Sequence, residues 1–131
     1  EVEEISKKYG IDLISLIAPT SHDRIQLIAK ESTGFIYVVS SMGVTGVRSE
    51  ITTDLDSIVG LIRKVTDTPT AIGFGINTTE QSEKFAGIAD GVIVGSAIVK
   101  LIEKYGKDAA PYVYDYVKSM KEAAMRAMQK V

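Results

Sequence analysis

Cysteine and tryptophan are both absent from these 131 residues, histidine occurs once as His22, and there are three prolines. Without cysteine there are no disulfides, no thiolate metal site and no cysteine nucleophile, a composition that suits a reducing compartment. One histidine, placed just after a cap-forming Ser21, builds neither a histidine-based triad nor a zinc site. The formal net charge of -2 offers no electrostatic footprint for nucleic acid. Apolar runs stop well short of the roughly 18 residues that cross a bilayer, and the first residues are acidic and amphipathic rather than signal-like. These absences predict a cytosolic protein with no membrane or nucleic-acid partner.

What is present is a repeated unit: a short β-rich run, a turn bearing glycine or hydroxyl groups, then an amphipathic helix. The first run is Ile11 to Ile17, ended by Pro19, with Ser21 as the cap of a helix whose Ile25, Leu27 and Ile28 are apolar. The second is Phe35 to Val39, then the turn Ser40 to Gly46, then a helix capped near Thr53 with Leu55, Ile58, Val59, Ile62 and Val65 at helical spacing. The third is Thr70 to Phe74, followed by Thr78 and Gln81 spaced as a capping box. The fourth is Gly91 to Val94, leading through Gly95-Ser96 into a helix that Gly106 ends. A last helix starts after Asp108 with Pro111 in its first turn, and Val2 to Gly10 reads as the tail of a helix with a glycine stop.

Strands apolar on nearly every residue, alternating with helices, predict a parallel α/β sheet in a single domain over residues 1–131. Four such units make either a small open sheet or half of an eight-stranded barrel, whose usual length is about 250 residues.

In either architecture ligands gather at the carboxyl ends of the strands. Gly46, Gly75, Gly95 and Ser96 lie there and could converge as a phosphate cradle, since backbone N–H groups free of a Cβ and a helix N-terminus both favour an anion. Each glycine also has a plain structural use, in permitting positive φ or close packing. Tyr37 is either a core aromatic or a phenol near the strand end, and Phe74 either core or the wall of an aromatic site. General acid–base chemistry needs groups at these same strand ends. Asp12 and Asp90 fall at strand starts, and Glu50, Asp54 and Asp56 lie in or after a loop, so no carboxylate is predicted at a strand's carboxyl end.

The stretches "YVVSSMGVTGVRSE", "AIGFGINTTEQ" and "GVIVGSAIVKLIEK" resemble, in order and spacing, the C-terminal half of the tryptophan synthase alpha subunit family. The resemblance implies a (β/α)8 TIM barrel of which these units are about strands 5 to 8, a half-barrel. It implies retro-aldol cleavage of indole-3-glycerol phosphate to indole and glyceraldehyde 3-phosphate in tryptophan biosynthesis. The implied partner is a beta subunit in an alpha2beta2 complex. That partner uses pyridoxal phosphate, and no cofactor or metal is implied in this chain. Position by position, Gly46, Gly75, Gly95 and Ser96 resemble the phosphate cradle, with the backbone of Phe74 contributing. The Phe74 ring, Leu16 and Ile93 resemble the lining of the indole pocket. Tyr37 resembles the tyrosine beside the catalytic acid, and Thr45 the mobile-loop threonine that aligns the catalytic aspartate, both in supporting catalytic roles; Ser41 to Thr53 would form the lid. The family's acid and base lie in a half-barrel preceding this one, so the chain reads as the phosphate and lid half of the enzyme, inactive by itself. A self-associating half-barrel that binds phosphate ligands without catalysis is the alternative. The neighbouring phosphate-binding barrels of tryptophan and histidine biosynthesis fit the "GVTG" turn less well.

Overall fold

The structure, a computed structural model, describes residues 2–40 and 48–129; at residue 22 and over residues 48–54 it describes the backbone alone. Helix α1 (Val2–Lys8) is followed by β1 (Ser15–Ile17), a 3-10 segment (Pro19–Arg24), α2 (Ile25–Glu31), β2 (Ile36–Val39) and α3 (Arg48–Arg63). Then come β3 (Thr70–Gly73), α4 (Thr79–Ala86), β4 (Gly91–Val92), α5 (Ser96–Tyr105), a second 3-10 turn (Gly106–Asp108) and α6 (Ala110–Met128). The strands form one parallel sheet in the order β1-β2-β3-β4.

The register separates two faces. Ile17, Ile36, Val38, Thr70 and Ile72 are buried with Ile25, Ala29, Leu55, Ile58, Ile62 and Phe85 of the helices, and this is the core. Leu16, Tyr37 and Ala71 stand in register on the opposite face, where Leu16 is 62% exposed. A sheet covered by helices on one face and open on the other, with β1 and β4 as edges, is half of a barrel wall.

The Thr78–Gln81 box forms as expected: the Thr78 hydroxyl accepts from the Gln81 amide at 3.3 Å, and the Gln81 side-chain oxygen accepts from the Asn77 and Thr78 amides. Gly10 and Gly106 take positive φ at the helix ends predicted for them. Pro111 sits in the first turn of α6, where its missing N–H costs no hydrogen bond.

Four expectations are corrected. The first strand is shorter, because β2 offers Ser15 its first partner at Ile36; residues 11 to 14 have no ladder to join, and Ile11 and Leu13 stay exposed. Ser21 caps no helix: the chain passes through the 3-10 segment, where the Ser21 hydroxyl accepts from the Ala18 amide at 3.4 Å, and α2 starts at Ile25. The helix expected to be capped near Thr53 starts at Arg48, since β-branched Thr52 and Thr53 disfavour a helix interior only weakly. Phe74 falls outside β3, in the turn that follows.

Asp90 holds the amino-terminal rim, where its Oδ2 accepts from the Thr70 amide at 2.8 Å and the Thr70 hydroxyl at 3.0 Å. Arg63 approaches Oδ1 at 3.6 Å, but both side chains are more than half exposed and the pair adds little. Asp90→Ala leaves the buried Thr70 donors unpartnered and is expected to cost about 1–2 kcal/mol in urea unfolding, with Asp90→Asn recovering part of it. An unchanged midpoint in Asp90→Ala would show that Thr70 needs no such partner.

Among the described residues, no helix is long and apolar enough to cross a membrane. Nor do three His, Asp or Glu side chains gather there as a metal ion would require.

Candidate functional site

At the carboxyl end of the sheet, β3 stops at Gly73 and the chain turns through two left-handed residues, Phe74 with φ 85° and Gly75 with φ 79°. Glycine takes that conformation freely, whereas phenylalanine does so only where its surroundings compel it. The Tyr37 side chain, from the next strand, crosses Gly73 so closely that a Cβ there would overlap its hydroxyl and ring. The glycine is therefore required by the approach of an aromatic side chain rather than by its own φ.

One strand over, the chain leaves β4 through Gly95 and enters α5. Gly95 has no side chain to cap the helix, and there is no acidic residue in the first turn. As at any helix start, the first amides lack intrahelical partners, and none is provided here to Ser96 or Ala97 among the described residues. The start of α4 is different. It carries the Thr78–Gln81 box and Glu80, whose pKa is held down by its own backbone amide and by the Thr78 and Thr79 hydroxyls. Of these two helix starts, α4 has a capping side chain and α5 has none.

Both turns open into one cleft of about 580 Å³. Of the residues singled out in the sequence it gathers Tyr37, Phe74, Gly75, Ile93, Gly95 and Ser96. Leu16 does not reach it. Leu16 shares the face of Tyr37 but stands on edge strand β1, a strand further from β3 and β4. Thr45 and Gly46, with the rest of residues 41–47, lie outside the described residues; of the expected lid, residues 48–53 belong to α3.

Two contributors were not foreseen. Lys100 stands one helical turn beyond Ser96 on the same face of α5 and is the one charged side chain among the described residues of the lining. Side chains on a helix lean toward its N-terminus, so the stem of Lys100 tilts toward the turn that holds Ser96. The four-residue spacing was the available signal. Tyr116 comes from α6, 39 residues along the chain from the carbonyl it binds: its hydroxyl donates to Asn77 O at 2.9 Å, just past the Gly75 turn. Burial raises the Tyr116 pKa, which favours the protonated, donating form. No local pattern announces that contact.

No carboxylate lines the cleft among the described residues. Backbone donors, one cation and an aromatic wall can hold an anionic group attached to an apolar one.

Comparisons with known proteins place the chain in a family. The sequence model of a family described as tryptophan synthase alpha chain matches residues 1–129. The tryptophan synthase alpha chain of Lacticaseibacillus casei is 53% identical over 123 residues, covering 94% of this chain and 46% of the relative. That of Lactiplantibacillus plantarum is 56% identical over 116 residues, covering 88% and 44%. Among solved structures, the tryptophan synthase subunit alpha from Campylobacter jejuni superimposes with a TM-score of 0.72 at 33% identity, over 91% of this chain and 45% of that one. The chain spans about half the length of the curated relatives it matches.

Proposed function

The chain belongs to the tryptophan synthase alpha chain family, and from that membership we propose that these 131 residues form the phosphate and lid half of a lyase. The whole barrel cleaves indole-3-glycerol phosphate by a retro-aldol reaction into indole and glyceraldehyde 3-phosphate. The observation that carries this reading is the convergence of the Gly75, Gly95 and Ser96 turns in one cleft that holds Lys100 and no carboxylate among its described residues.

In this proposal the phosphate lies against the Gly75 turn and the start of α5. The amides of Gly75 and Ser96 donate to it, and Lys100 adds a long-range attraction that salt screens. Gly46, which lies outside the described residues, completes the cradle. The indole end lies toward Phe74 and Ile93, with Leu16 beside Tyr37 on the same face of the sheet. Tyr37 stands beside the reacting centre and Thr45 steers the catalytic aspartate. That aspartate and its partner acid come from the half-barrel that supplies the remaining strands. The second partner is the beta subunit, to which indole passes and which carries pyridoxal phosphate; this chain supplies no residue to that cofactor. A cytoplasmic setting follows from the family's place in biosynthesis.

The test is indole release from indole-3-glycerol phosphate. Residues 1–131 alone are expected to release none, and the same residues joined to a first half-barrel bearing the acid and base to release it. Indole from the 131 residues alone would contradict the division of labour. In the joined protein, Tyr37→Phe is expected to lower kcat roughly tenfold, the scale of one transition-state hydrogen bond, and to leave the affinity for glycerol 3-phosphate unchanged. An equal loss in both quantities would move Tyr37 from the reacting centre to the binding site.

The two edge strands and the open face around Leu16 favour one other reading, a half-barrel that closes against a second copy and binds phosphate ligands without catalysis. Sedimentation of residues 1–131 separates the two: a stable dimer that binds glycerol 3-phosphate supports self-association.

A further inference from the structure

We infer that Ser40 is a positioning residue for this cleft, aiming the Gly75 amide into it through the carbonyl of Phe74; the inference rests on the phosphate reading above. Ser40 follows directly on β2 and is completely buried. Its amide donates to Gly73 O at 2.9 Å, and its hydroxyl lies 2.6 Å from Phe74 O and 3.0 Å from Gly73 O. Two carbonyl oxygens that converge in a buried place repel each other unless a proton stands between them, and the Ser40 hydroxyl supplies it.

The consequence follows from the planar trans peptide. In the unit joining Phe74 to Gly75, the C=O and the N–H point in opposite directions. Drawing the Phe74 oxygen inward to Ser40 turns the Gly75 N–H outward, at a residue that lines the cleft. The same bond holds the turn where Phe74 is the one non-glycine among the described residues at positive φ. Without it the peptide is free to flip, which changes Phe74 ψ and Gly75 φ together and withdraws the Gly75 donor.

Ser82 is a matched control. It is also completely buried, and its hydroxyl donates to Met120 O at 2.8 Å, tying α4 to α6 away from the β3 turn. Ser40→Ala and Ser82→Ala should lower the melting temperature by comparable amounts, each losing one buried serine hydrogen bond. Only Ser40→Ala should displace the Gly75 amide resonance in a 15N-labelled sample and weaken inorganic phosphate binding, by roughly three- to tenfold for one hydrogen bond. Ser40→Cys keeps the packing with a weaker donor, so it is expected to move the same resonance less far and guards against a variant that does not fold. An unmoved Gly75 resonance in Ser40→Ala and Ser40→Cys, or an equal displacement in Ser82→Ala, would overturn the inference. The readout in the free protein is independent of the ligand: if the parent binds no phosphate, the phosphate reading falls while the resonance still decides the role of Ser40.

Discussion

Gly95→Val is expected to fold normally and to lose about 100-fold in affinity for glycerol 3-phosphate, the loss of two charge-assisted hydrogen bonds. The backbone at Gly95 has φ −119°, outside the left-handed range that requires glycine. A Cβ there would meet no atom of the described residues within 4 Å, which leaves room for a side chain among them. Gly95 lines the cleft. The valine branches would stand where the anion must approach the first amides of α5. Valine is also a poorer helix cap than glycine, at a cost of up to about 1 kcal/mol in stability. The decisive comparison is therefore affinity against melting temperature: calorimetric titration should show a large loss beside a small shift in the melt, with Gly95→Ala between valine and parent. Parental affinity in Gly95→Val would remove Gly95 from the anion site.

Gly73→Ala is expected to act the other way, on the fold first. A Cβ at this position would overlap the Tyr37 hydroxyl and stand 2.8 Å from a ring carbon. Relief requires either that the phenol swing away from the cleft or that β2 and β3 separate at Val39–Gly73, where they are in register. Overpacking of this kind costs about 3 kcal/mol, at the upper end of its usual range because backbone register is involved. The diagnostic is a double-mutant cycle. In a Tyr37→Ala background the ring is gone, so Gly73→Ala should cost little there, giving a coupling of roughly 2 kcal/mol between the two positions. Additive effects would show that the ring does not press on Gly73. In the complete enzyme, Gly73→Ala should also resemble Tyr37→Phe in turnover, because the first displaces the Tyr37 hydroxyl and the second removes it.

Much of this architecture was legible because it is local. The Thr78–Gln81 box, the Gly10 and Gly106 stops and the apolar spacing of α3 and α5 each depend on residues within a turn or two, so the chain displays them. The start of β1 does not: Ile11 to Ile14 are as apolar as a strand, and only the position of Ile36 decides that pairing begins at Ser15. The same division holds in the site. Gly75 and Gly95 announce turns by composition alone, and the Ser96–Lys100 spacing was open to reading. The left-handed Phe74 was not, because what stabilises it is a serine 34 residues away. Tyr116 reaches its carbonyl from the last helix for the same kind of reason. Leu16 shows the limit of analogy. It stands on the expected face, but a pocket there needs the strands that complete the barrel.

Titration of 15N-labelled protein with glycerol 3-phosphate tests the central claim most directly. Saturable movement of the Gly75, Gly95 and Ser96 amides with one common dissociation constant, lost in Gly95→Val, is the predicted result. Saturation that leaves these three amides still and moves others, or no saturation in a folded chain, would contradict the assignment of the cleft to phosphate.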